Sequence, residues 1–272
     1  MRVISLAAGS SGNATLVCAG TTTLLVDAGI SLRGLVGRLL YKSIDPASLS
    51  AILITHEHTD HMTGVIEFAS TYHLPVMSDP ATLAVIRSTI PPHKDPATIP
   101  EFIGYETGAT WQVGELTISS FPVPHDAVAA CGYRIRQREW QMVLVTDCGA
   151  MTDTIIANMT DSHLIILEAN HDRERLRVGP YPIHLKRRIM SDLGHLSNAE
   201  AASALDQCIG SQTQAIWLTH LSKTNNTPDL AIAAVTETLG ADRLRGITLT
   251  VTTSGIGPTW DSPDDIAITV VE

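Results

Sequence analysis

The chain has 272 residues, 44% of them apolar and 17% charged, which is ample for a folded core and excludes a disordered composition. Its net charge of −10 excludes an indiscriminate nucleic-acid coat, because phosphate binding needs cationic surface, but leaves room for a local basic groove. Cys18, Cys131, Cys148 and Cys208 form no CxxC pair, so neither a disulfide framework nor a zinc knuckle is expected. With no secretory h-region and no apolar stretch long enough to span a bilayer, the expectation is a soluble cytoplasmic protein without a membrane partner.

In chain order, Val3 to Ala7, Ala14 to Val17 and Thr23 to Val26 read as strands, the first two joined by Gly9-Ser10-Ser11-Gly12-Asn13. Leu32, Leu35, Val36, Leu39 and Leu40 recur at helical spacing. Ala51 to Ile54 is a short apolar strand, followed by a predicted helix over Met62 to Tyr72 and another over Thr82 to Ser88. Further strands are expected at Leu116 to Phe121, Gly132 to Ile135, Met142 to Val145, Leu164 to Leu167, Ala215 to Leu218 and Ile247 to Val251. Helices are expected over Asn198 to Ile209, with Ser197 and Glu200 as a capping box, and over Pro228 to Leu239. Two halves of strand-then-helix character, with no repeat or linker, predict one domain over residues 1–272. Its class is α/β (α+β), two sheets between outer helices in a four-layer αββα sandwich.

The densest chemistry lies directly after Ile54. Thr55-His56-Glu57-His58-Thr59-Asp60-His61 places three imidazoles and a carboxylate within six positions. In extended chain His56 and His58 point to one side and can share a metal, and the following turn can swing Asp60 and His61 toward a second. Imidazole with carboxylate suits zinc or manganese, with iron also compatible. A polar loop capping the next helix would use the same residue types, but H-x-H-x-D-H after an apolar strand is a rare coincidence.

This motif resembles the signature of the metallo-β-lactamase superfamily. The resemblance implies further ligands at later strand ends, and His125, Asp147 and His220 match them in order. By that resemblance His56, His58 and His125 hold one divalent ion and Asp60, His61 and His220 a second. Asp147 bridges them, and Asp27 orients the ligand loop. A lone His or Asp at a strand end is otherwise a turn residue or a cap. Gly9 to Asn13, Leu25-Val26-Asp27-Ala28-Gly29, Glu168-Ala169-Asn170-His171-Asp172, Gly194-His195-Leu196-Ser197-Asn198 and His220 to Asn226 together resemble the YycJ/WalJ family, over about residues 3 to 230. That family implies a metal-dependent 5′→3′ exonuclease acting on DNA, with a water activated by two metals as nucleophile.

Asp60, Asp147 and His195 are the expected catalytic residues, His195 by resemblance to a phosphate-contacting histidine of ribonucleases J and Z. Ser197 and Asn198, at a helix start that favours anions, are candidate substrate contacts, together with Lys223, Asn225 and Asn226. Helix capping and a simple turn account for the same residues. Arg173, Arg175, Arg177, Lys186, Arg187 and Arg188 outweigh Asp172 and Glu174, making this stretch the candidate nucleic-acid groove or else a solvated face. The alternatives are a small-molecule phosphodiesterase or thioesterase on the same metals, or a regulatory binding protein. The residues leave open the oligomeric state and whether His171 is a ligand.

Overall fold

The computed structural model describes residues 1–263. In chain order the elements are β1 (Arg2–Ala7), β2 (Ala14–Ala19), β3 (Thr22–Val26), α1 (Leu32–Tyr41), β4 (Ala51–Leu53), α2 (Thr59–Met62), α3 (Val65–Tyr72) and β5 (Val76–Ser78). Then follow α4 (Pro80–Ser88), β6 (Phe102–Gly104), β7 (Thr110–Val113), β8 (Leu116–Pro122), β9 (Cys131–Gln137), β10 (Trp140–Val145), α5 (Asp153–Met159) and β11 (Leu164–Glu168). The rest are α6 (Arg173–Val178), α7 (Ile183–Ile189), α8 (Asn198–Cys208), β12 (Ala215–Thr219), α9 (Pro228–Arg243), β13 (Thr248–Val251) and β14 (Thr259–Asp261).

The chain divides into two compact units. The first holds Met1–Ser119, Ala127–Ala129 and the described residues from Ser254 onward. Its sheet runs β14-β1-β2-β3-β4-β5-β6, antiparallel from β14 to β3 and parallel from β3 to β6. Leu25 pairs Ile52 and Val26 pairs Leu53, so β3 and β4 end side by side, at Asp27 and in the histidine-rich segment. The apolar faces of α1, α3 and α4 supply Leu35, Leu39, Phe68, Leu83 and Ile86 to a core completed by Leu6, Leu16, Leu25, Ile52 and Val76. The predicted helix over Met62 to Tyr72 is in fact two helices. Gly64, where a Cβ would fall 2.2 Å from Ile30 O, starts a new helix in close contact with the loop after β3.

The second unit holds Ser120–Asp126 and Ala130–Thr253. The second sheet runs β13-β12-β11-β10-β9-β8-β7, and β8 begins in the first unit with its hairpin partner β7. Strands β10 to β13 are parallel, and β11 and β12 are buried along their whole length. Their uninterrupted apolar runs are what parallel strands require. Val143, Val145, Ile165, Leu167, Ile216 and Leu218 pack with Leu196, Leu205 and Val235. The parallel register brings Glu168 of β11 opposite Thr219 of β12, one residue before His220. Three-residue strands such as β5 and β6, and the short helices α5 to α7, add to the predicted elements.

Candidate metal centre

In the first unit the histidine segment is held from beneath by one carboxylate. Asp27 is buried, and its Oδ1 accepts from the Thr55 backbone N–H at 2.8 Å. Its Oδ2 lies 2.7 Å from His61 Nδ1, so the His61 proton sits on Nδ1 and Nε2 is the accepting nitrogen. The Asn13 side-chain amide, 3.0 Å from Nε2, requires the same tautomer. Thr55 Oγ1 lies 3.0 Å from His56 Nδ1 and 3.0 Å from Asp27 Oδ2, extending the network to a second imidazole. The ring centroids of His56 and His58 are 4.7 Å apart, and those of His56 and His61 4.0 Å.

Backbone approach makes this arrangement possible. Asn13 N–H donates to Asp60 O, Gly29 N–H to Asn13 O and Ala28 N–H to His61 O, each at 2.8 Å. A Cβ at Gly29 would fall 1.7 Å from Asp60 O, so no other residue fits where the three loops meet.

In the second unit the donors come from separate elements. His125 follows β8, Asp147 follows β10, His195 precedes α8 and His220 follows β12. Glu168, fully buried at the end of β11, ties them together. Its Oε1 lies 2.8 Å from both His195 Nδ1 and His220 Nδ1. Its Oε2 accepts from the backbone N–H groups of Cys148 (2.8 Å) and Leu196 (3.2 Å). Burial alone would push this carboxyl up, but the adjacent His195 and the bonds to His195 and His220 outweigh it and hold it near 2. Burial likewise pulls the His195 imidazole down, and Glu168 with Asp147 more than reverses that, leaving it raised. Burial, outweighing the nearby Asp147, holds His125 below its ordinary value. Asp147 Oδ1 lies 3.4 Å from His220 Nδ1, 3.6 Å from His195 Nδ1 and 3.9 Å from His125 Nε2. Asp147, Glu168, His195 and His220 thus form one cluster of ligating atoms, buried except for the partly exposed His195. His125 is oriented by the Gly194 carbonyl, 3.1 Å from Nδ1.

Asp27, Asp147 and His220 share a backbone feature. Each follows a strand and adopts the left-handed conformation, with φ of 62°, 50° and 57°. Such conformations cost about 1–3 kcal/mol in non-glycine residues and collect at functional sites. In both units, imidazoles with carboxylate-anchored Nδ1 atoms and neighbouring carboxylates make a donor set suited to divalent cations.

The remaining expected residues divide. Ser197 is buried and caps α8 reciprocally with Glu200, its Oγ also receiving Arg173 Nε at 3.1 Å. Asn198 and Asn226 are buried and bonded to each other at 2.8–2.9 Å, and Asn226 also donates to Ala169 O and Asn170 O. The polar groups of these three side chains are therefore spent inside the unit, as frame for the loops bearing His195 and His220. Asn225 is buried against Ser222, while Lys223 is exposed. Of the basic stretch, Arg173 pairs with Glu200, Arg177 with Glu174 and Arg188 with Asp126. Arg175 and Arg187 are exposed and stand outside those pairs. His171 is buried, with its carbonyl accepting from Asn198 N–H, and it is not one of the clustered ligands among the described residues. Glu168 was absent from the sequence-derived site, although it ends an apolar strand as Asp27 does.

Comparison with known proteins agrees with this picture. Residues 22–221 match the family model described as the β-lactamase superfamily domain. The chain is 40% identical over 226 residues to exodeoxyribonuclease WalJ of Streptococcus pneumoniae, covering 83% of each protein. It is 36% identical over 234 residues to exodeoxyribonuclease YycJ of Bacillus anthracis, covering 86% of this chain and 87% of that one. The metallo-β-lactamase fold protein YhfI from Bacillus subtilis superposes with a TM-score of 0.71 at 18% identity, covering 96% of this chain and 99% of that one. With its fold and its two carboxylate-anchored histidine sets, the chain belongs to the metallo-β-lactamase superfamily and, within it, to the WalJ/YycJ family.

Proposed function

We propose that this chain is a metal-dependent exonuclease that degrades DNA in the 5′→3′ direction, its two units working as one metallo-β-lactamase-fold domain. The observation that carries the reading is the Glu168 cluster, in which one buried carboxylate fixes His220, Asp147 stands beside both, and His195 is placed with them. Similarity to two exodeoxyribonucleases over most of the chain supports the substrate. The donor chemistry supports two divalent ions, zinc or manganese, with iron also compatible. His56, His58 and His125 would hold one ion, Asp60, His61 and His220 the other, and Asp147 both. When bound, the ions supply Lewis-acid polarisation of the phosphodiester and lower the pKa of a water toward neutrality.

The protein's own groups do the rest. Asp27 and Glu168 set the tautomers of His61 and His220. His195, its Nδ1 committed to Glu168, presents Nε2 to the substrate and holds a proton there for the leaving oxygen. Asp60 and Asp147 provide the negative charge that balances the site, and Lys223 offers an exposed cation to phosphate. Four free cysteines support action in a reducing cytoplasm. Among the described residues, no helix is long and apolar enough to cross a membrane.

The test is degradation of end-labelled DNA and RNA by the purified protein with Mn²⁺, Mg²⁺ or Zn²⁺. Progressive shortening of DNA from the 5′ end is expected. Cleavage of small phosphodiesters or thioesters with none of DNA would overturn the reading.

A further inference from the structure

The segment between Glu168 and His195 carries a surface that the metal chemistry does not use. Of eight large hydrophobic residues that are strongly exposed among the described residues, four fall within it: Val178, Ile183, Met190 and Leu193, each more than half exposed. Exposed apolar residues normally scatter singly, whereas half of those among the described residues fall within these sixteen positions. Ile183 and Met190 are seven residues apart, two helical turns, and so share a face of α7 and its continuation, with Arg187 at the intervening turn.

The same segment is built into the site. Leu193 O accepts from Asp126 N–H at 3.1 Å, and Arg188 Nε donates to Asp126 Oδ2 at 2.6 Å. Gly194 O holds His125 Nδ1, and Ile189 O accepts from His195 N–H at 2.9 Å. A Cβ at Gly194 would fall 2.2 Å from Arg188 O, so the end of α7 closes tightly onto the His195 loop. Met190 and Leu193 are therefore borne on the backbone that positions His125 and His195.

Exposed aliphatic side chains on the backbone that carries His195 suit one occupant of a nuclease above others, the end of a nucleic-acid duplex. The exposed Arg175 and Arg187 offer charge to its phosphates, and Leu, Ile and Met are side chains that insert between base steps and unstack them. We propose that α7 and the turn after it form a strand-separating wedge, in which Met190 and Leu193 pack against the terminal base pair and hold it open beside His195. This inference rests on the nuclease reading and adds to it that duplex ends are opened by the protein itself.

The experiment compares metal-loaded wild type with Met190→Ser/Leu193→Ser on one labelled oligonucleotide, presented single-stranded, fully duplex, and as a duplex with three mismatched terminal pairs. Both residues are mostly exposed, so the variant keeps its fold; Leu40→Ser, at a comparably exposed position in the first unit, is the control. The ratio of duplex to single-strand rate should fall at least tenfold in the double variant, stay unchanged in Leu40→Ser, and recover on the mismatched end. An unchanged ratio would overturn the wedge and return the patch to a protein partner, even with both DNA forms degraded. Wild type that degrades no DNA would overturn the nuclease reading and the wedge with it.

Discussion

The two units solve one problem, fixing imidazoles for a cation, by opposite uses of the chain. The first draws its donors from one continuous segment, His56 to His61, and stiffens it with the loops bearing Asn13 and Gly29. The second gathers His125, Asp147, His195 and His220 from four places, and relies on Glu168 to join His195 and His220. Both rely on a buried carboxylate at a strand end bonded to Nδ1. In the first, Asp27 reaches one histidine directly and a second through Thr55; in the second, Glu168 reaches two histidines and two backbone N–H groups. A dispersed site concentrates its dependence on a single orienting residue, and a contiguous one spreads it along the backbone.

The largest effects should come from the ligands, and they should be equal in both units. His58→Ala and Asp147→Ala are each expected to abolish hydrolysis and to lower metal content from about two ions per chain, with circular dichroism unchanged. Full activity of either variant would remove that unit's set from the centre. His195→Ala should keep its metal and slow phosphodiester cleavage by about 10²–10⁴-fold, the usual worth of an acid–base group. Metal lost in parallel would instead make His195 a ligand.

The orienting carboxylates test the comparison itself. Glu168→Gln and Asp27→Asn should each cost about 10–100-fold in metal affinity or activity, as such partners do, with Glu168→Gln nearer the upper figure because four groups depend on it. Titration of each variant with Mn²⁺ measures this, and a reversed order would break the contrast. The smallest effect is expected from Arg175→Glu/Arg187→Glu. It should raise KM for long DNA severalfold and flatten the salt dependence of binding, leaving a small chromogenic phosphodiester untouched. Equal effects on both substrates would make the stretch a solvated face.

How much of this was legible in the sequence follows from the same contrast. His56 to His61 could be read from spacing alone, because all four donors lie within six positions after an apolar strand. His125, Asp147 and His220 are assigned through resemblance, since nothing local marks one residue at a strand end as a ligand. Glu168 was missed for that reason, although Leu-Ile-Ile-Leu-Glu ends in a charge as Leu-Leu-Val-Asp27 does. A lone carboxylate closing a fully buried strand is the signal that would have found it. For Ser197, Asn198 and Asn226 the sequence allows both a substrate contact and a cap or turn, and their buried bonds account for the second of these. The capping box was itself visible in the sequence, whereas the Asn198–Asn226 pair depends on a contact across 28 positions. Short elements such as β5 and α7 fell below the length at which periodicity speaks.

The left-handed backbone at Asp27 and Asp147 has a consequence for other chains of this shape. Asparagine occupies that conformation as readily as aspartate does and has nearly the same volume, so Asp→Asn at either position leaves the backbone undisturbed. It replaces a charged oxygen by an amide, which suits neither a cation nor His61. Once selection for hydrolysis lapses, the backbone sets no barrier to that exchange. Asparagine at position 27 or 147 would then be an early mark of a chain that has kept the shape and given up the chemistry, and metal content would tell such chains apart at the bench.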